Sequence, residues 1–204
     1  MAEKRITSRL VEREYLDKVF QLDQLIGCTA SGLIADARAL VKYARHEAQK
    51  FRFRFGDRIK VRDLALEVSN YKQIYTQYGG IRPFGTSLLI GGIDDRGKHL
   101  FETDPSGAFK EYKAGCIGAG KDLATPFIDG LYEEGMDLKE AISFGLGAVY
   151  KGTEGNVNFM AMELVTLSEK DGFQKLDFDT FKGYVDDILA ELKEEEKNIE
   201  EEHE

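Results

Sequence analysis

YTQYGGIRPFGTSLLIGGIDD, residues Tyr75–Asp95, decides how this chain is read. Upstream of it, apolar residues recur at Leu64, Val68, Tyr71, Tyr75 and Tyr78. Those steps of four and three are the spacing of one helical face. Gly79-Gly80 ends the helix, and Pro83 biases Arg82 away from helical backbone. Thr86–Ile93 is then short and apolar, and Asp94-Asp95-Arg96-Gly97 closes it with turn residues. A strand apolar on both faces, with Gly91 and Gly92 inside it, belongs at the centre of a sheet covered on both sides.

The rest of the chain is consistent with one globular unit built around that strand. Its 204 residues are enough for a sizeable core, and 42% apolar against 32% charged residues is ordinary for a globular protein. No apolar run approaches the ~20 residues of a membrane span, and the N-terminus carries no apolar signal core. The chain therefore reads as cytoplasmic, with no membrane partner. Cys28 and Cys116 lie in apolar, strand-like contexts and read as reduced thiols. The net charge of −9 is concentrated at the end, where residues 191–204 hold eight acidic residues against two lysines. We read residues 1–190 as a single domain and 191–204 as an acidic, disordered tail. The charge does not favour nucleic acid as a partner.

Before the deciding stretch, Lys4–Leu10, Tyr15–Ile26 and Ile26–Ala30 read as strand regions. SGLIADARALVKYARHEAQK follows, with an apolar helical stripe at Leu33, Ala37, Leu40, Val41, Ala44 and Ala48 and with Ser31 as N-cap. The run FRFRFGDRIKVR, residues 51–62, sets aromatic rings among cations, a pattern that stacking on nucleic acid would use. Alternation of Phe51, Phe53 and Phe55 instead suggests rings buried on one side and arginines solvated on the other. The second helix is expected over Val61–Tyr78.

After the central strand, Lys98–Thr103 reads as its hairpin partner and Phe109–Ile117 as a further strand. Gly118-Ala119-Gly120-Lys121 leads into a third helix, but its spacing fails the phosphate-loop pattern. Pro126 should kink that helix or shift its start. A fourth helix begins after an Asp137 N-cap, Phe159–Leu167 and Phe173–Leu176 form a hairpin, and a last helix runs from Asp179 to about Lys197. Strands, two helices, strands, two helices, strands and a helix imply an α+β fold of two stacked antiparallel sheets with helices outside.

Three ordered motifs carry a family resemblance: SGLIADARALVKYAR (31–45), YTQYGGIRPFGTSLLIGGID (75–94) and DPSGAFKEYKAGCIGAGKD (104–122). Together they closely resemble proteasome α-type subunits, most like archaeal ones, over nearly the whole chain. The resemblance implies the four-layer αββα sandwich of N-terminal-nucleophile hydrolases, here N-terminally incomplete. The family's gating segment, its GRLxQVEYA-type helix and its first strands have no counterpart in this sequence. The resemblance further implies a non-catalytic subunit of a heptameric outer ring, with other α subunits, β subunits and the C-terminal tails of regulatory AAA ATPases as partners. Alternatively, the chain is a truncated or divergent relative that does not assemble.

Two residues carry over singly from the family's activator pocket: Lys18, in EYLDKVFQL, and Gly32, in ASGLIADA. In the family they contribute to a pocket between neighbouring subunits that receives an activator's C-terminal carboxylate, and another wall of it belongs to the N-terminal part without a counterpart here. A cation and backbone donors near a helix N-terminus suit a carboxylate. Catalysis in this fold needs an N-terminal nucleophile whose own amine is the base. Thr7 and Ser8 would serve only after processing, which is the basis of an alternative reading as a threonine or serine peptidase. His46, His99 and His203 are scattered, and no spacing in the sequence suggests a metal site or a cofactor.

Overall fold

The computed structural model describes residues 1–4 and 10–202. Its strands are β1 (Ala2–Glu3), β2 (Val19–Asp23), β3 (Ile26–Gly32), β4 (Thr86–Asp94), β5 (Gly97–Thr103), β6 (Phe109–Glu111), β7 (Met162–Ser168) and β8 (Gly172–Leu176). Its helices are α1 (Ile34–Phe55), α2 (Val61–Gln77), α3 (Lys121–Leu131), α4 (Leu138–Gly152) and α5 (Phe178–Glu202).

The strands form two antiparallel sheets, β2-β3-β4-β5-β6 and β1-β7-β8. As the deciding stretch requires, β4 is the central strand of the larger sheet. Its burial alternates, with Leu88 and Ile90 fully buried on the helix side. Their core partners include Leu40 and Ala44 of α1 and Leu64 and Val68 of α2. Burying each such leucine or isoleucine contributes roughly 1.5–3 kcal/mol. Gly92 is needed for packing, because a Cβ there would stand 2.8 Å from both Leu25 O and Val61 Cγ2.

The smaller sheet packs its outer face on α4 and α5 through Leu146, Leu164, Phe181 and Val185. Between the sheets, β7 meets β2 and β4, and the Phe173 ring fills the space over Gly27. The result is the αββα sandwich. No helix among the described residues is long and apolar enough to cross a membrane.

Several local expectations are corrected. The N-cap of α1 is Leu33 rather than Ser31, which stays in β3, and no side chain caps the helix. Helix α1 runs through FRFRF to Phe55, so the alternation of phenylalanines is not a strand face. Phe51 packs against the core, whereas Phe53 is 95% exposed. The segment Tyr15–Ile26 divides into a 3-10 turn at Arg13–Leu16, strand β2 and a two-residue turn. Strand β6 ends at Glu111, and beyond it Ala114 and Cys116 pack on α3 and α4 instead. Pro126 lies within α3 without shifting its start. Asp137 caps α4 as expected, in a reciprocal capping box with Glu140. Helix α5 continues through the acidic segment to Glu202.

Candidate functional site

Lys18 and Gly32 lie at the same end of the larger sheet. Lys18 immediately precedes β2, and its carbonyl accepts the Ala30 N–H at 2.9 Å. Gly32, two residues beyond Ala30, closes β3. The strand register thus brings together two positions that lie 14 residues apart in sequence.

Gly32 is dictated by geometry. Its φ is +108°, a backbone conformation that side chains disfavour, and a Cβ would lie 2.3 Å from Gly85 O. That tight turn lets the Leu33 N–H donate to Gly85 O at 2.8 Å and starts α1 one residue later. Because no side chain caps α1, its first-turn amides keep unsatisfied donor capacity at the positive end of the helix dipole. The turn is braced from outside by Asp36, which accepts from Gly85 N–H at 2.7 Å and from both Arg82 terminal nitrogens at 2.8 Å. The Arg82 hydrogen bonds hold the Asp36 carboxyl below its ordinary range. Arg82, Pro83 and Gly85 are therefore scaffold for the strand-to-helix junction.

The Lys18 ammonium has neither a hydrogen bond nor an ion pair with any described residue. Next to it lies a compact charged network that the sequence reading did not single out. Glu163 of β7 is 1% exposed, and its Oε2 accepts the Lys18 N–H at 2.7 Å and the Val19 N–H at 3.2 Å. Its Oε1 pairs with Lys175 of β8 and, at 3.5 Å, with Lys4. Asp17 pairs with the same two lysines. Burial pushes the Asp17 carboxyl up, but the bond from Lys4 and the charges of Lys175 and Lys4 outweigh it and lower its pKa. The signal available in sequence was one acidic residue inside the otherwise uncharged strand MELVTLS.

The remaining candidates separate from this end of the molecule. Thr7, Ser8 and His203 lie outside the described residues. Cys28 is buried, which pushes its thiol up to about 12 and leaves it unreactive at neutral pH. Lys121 spends its charge on Glu102, at 2.7 and 2.8 Å, and is not free to cradle a phosphate. His99 bridges Asp94 and Glu111, and His46 meets Glu47 on the surface of α1. A cleft of about 430 Å³ lies at the far end of the strands, between Asp23, Arg58, Lys60 and Asp94. Its polar groups are largely committed: Asp23 to Arg52, Lys60 to Asp95, and Asp94 to the Val61 and Arg96 amides. Among the described residues no group of three or more His, Cys, Asp or Glu could hold a metal ion.

A two-sheet sandwich with an outer helical layer on each face fits the N-terminal-nucleophile hydrolase architecture of proteasome subunits. The proteasome subunit family matches residues 1–167. A proteasome subunit alpha of Methanosarcina thermophila is 47% identical over 197 residues, which are 96% of this chain and 80% of that protein. Its counterpart in Methanothermobacter thermautotrophicus is 44% identical over 198 residues, 97% of this chain and 80% of the relative. One from Thermococcus gammatolerans is 42% identical over 195 residues, 95% and 74% of the two chains. The chain belongs to the proteasome subunit family, as an α-type subunit with archaeal relatives. Membership places it in protein degradation and implies assembly with other proteasome subunits.

Proposed function

We propose that this chain is a non-catalytic, cytoplasmic structural subunit of a proteasome outer ring, and that Lys18 and the Gly32 turn receive the C-terminal carboxylate of a regulatory AAA ATPase. Residues 1–190 act as the ring-forming domain and 191–204 as an acidic appendage. The ring is heptameric, rests on β subunits and controls substrate access to them.

The observation that carries the docking reading is the Lys18 ammonium, without a partner among the described residues, at the end of the sheet where β3 turns into the uncapped start of α1. A carboxylate there would gain a charge-assisted bond together with backbone donors. The non-catalytic reading rests on the chain's similarity to α-type subunits.

Co-expression with a β subunit followed by native mass spectrometry tests the ring, and a chain that stays monomeric contradicts it. Lys18→Ala tests docking: ATPase-stimulated degradation should fall at least tenfold while unstimulated cleavage of small peptides stays unchanged. Equal stimulation of wild type and variant rejects the docking role. Peptide–coumarin turnover by the chain without β subunits, with Thr7 or Ser8 found as the new N-terminus, rejects the non-catalytic assignment.

A further inference from the structure

We infer that Glu163 is the positioning residue of the Lys18 site, holding the main chain at the start of β2 so that the Lys18 ammonium stays available to a ligand carboxylate. The inference rests on the docking role proposed for Lys18.

A buried carboxylate persists only where donors and counter-charges surround it. Glu163 obtains them from four directions. The Lys18 N–H, just before β2, and the Val19 N–H at its start come from 145 and 144 residues away in sequence. The Lys175 ammonium comes from β8, and that of Lys4 from the residue after β1. Oε2 thus fixes two successive amides where the chain enters the larger sheet.

The charges around Lys18 bear on its availability. Lys4 and Lys175 each pair with both Asp17 and Glu163, and Glu163 also faces the buried Met1 α-amino group. Asp17 and Glu163 flank Lys18, one in sequence and one in space, yet both are spent on other lysines. The Lys18 ammonium is therefore not needed to neutralise either carboxylate. Its backbone is pinned by Glu163 on one side and by the Ala30 N–H on the other. A ligand carboxylate meets a cation whose main chain is already fixed, so less backbone ordering opposes binding.

The test separates geometry from charge. Glu163→Asp keeps the charge of the network but shortens the side chain by one methylene, so one carboxylate can no longer serve both amides. The full chain, co-assembled with its β subunit, is titrated by fluorescence anisotropy. The probe is a labelled peptide of the last ten residues of the cognate ATPase, as free acid and as C-terminal amide. In the wild type the acid should bind at least tenfold tighter than the amide. E163D should weaken the acid about fivefold, leave the amide unchanged, and cause no further loss in a K18A background.

E163D with wild-type affinity overturns the inference, as does equal weakening of the acid in the presence and absence of Lys18. K18A with wild-type affinity rejects the docking role itself, a distinct result. Hydrogen exchange at the Lys18 amide of the wild type provides a readout without substitution: protection supports the anchor, and exchange at the unprotected rate overturns it.

Discussion

Arg82 holds Asp36 in a two-point grip, with Nη1 and Nη2 each 2.8 Å from a carboxylate oxygen. The pair joins the turn that feeds β4 to the first turn of α1, and Asp36 adds a bond from the Gly85 N–H at 2.7 Å. Asp36→Ala should cost about 1–3 kcal/mol, since it leaves that amide without its charged acceptor. Arg82→Ala should cost less, because its guanidinium is 62% exposed and water replaces it. Arg82 lowers the folded-state pKa of Asp36 from its ordinary 3.8. The stabilisation is therefore complete above the unfolded value and is lost as pH falls through the folded one. Urea midpoints of wild type and D36A should differ at neutral pH, and the gap should begin to narrow only as pH falls below about 4.

Gly32→Ala should destabilise the chain by at least 1–3 kcal/mol, roughly the cost of holding a side-chain-bearing residue at a disfavoured φ. The Cβ would also press on Gly85 O at 2.3 Å, so the strand-to-helix turn must open. Thermal melting should show the loss, and a melting temperature equal to wild type would contradict this geometry.

Lys72 of α2 is fully buried and donates to Thr86 O, Thr103 O and Thr103 Oγ1 at 3.0, 2.9 and 2.6 Å. Burial pushes its pKa from the ordinary 10.5 down to about 8. Below pH 8 both folded and unfolded chains carry the proton, and the cost of burying the charge is felt in full. Between pH 8 and 10.5 the unfolded chain retains a proton that the folded chain has released, so rising pH favours folding. The stability of wild type relative to Lys72→Met should increase across that window, by at most about 3 kcal/mol. A flat difference in urea midpoints would rule this out.

The aromatic run at the end of α1 gives a test of helix against strand. Phe51 packs on the core and contacts Phe55, with ring centroids 4.6 Å apart, while Phe53 is 95% exposed. Phe51→Ala should cost about 2 kcal/mol, part of the roughly 3–5 kcal/mol of a fully buried phenylalanine. Phe53→Ala should stay within about 0.5 kcal/mol of wild type. Comparable losses at Phe51, Phe53 and Phe55 would instead fit a strand with one buried face.

The main architecture was legible because its signals are local and repeated. The stripe of α1, the glycine stop after α2 and the Asp137 cap each reflect interactions within a few residues. The errors lie where local signals tie. FRFRF satisfies strand alternation, and only the helix already running from Ile34 fixes its frame. Phe109–Ile117 has strand composition throughout, but a strand persists only opposite a partner, and β6 pairs with β5 only through Glu111.

By itself, then, the sequence determined the helices, the central strand, the antiparallel hairpins and, through three motifs, the family. It also marked Lys18 and Gly32. Only the tertiary structure decided what surrounds them. Glu163 reaches the Lys18 amide across 145 residues, and Lys72 finds its acceptors on two different strands. Such contacts depend on strand register and sheet stacking, which no local pattern encodes. The charge state of a site likewise depends on which carboxylates are already paired, and that is set only once the two sheets have closed on each other.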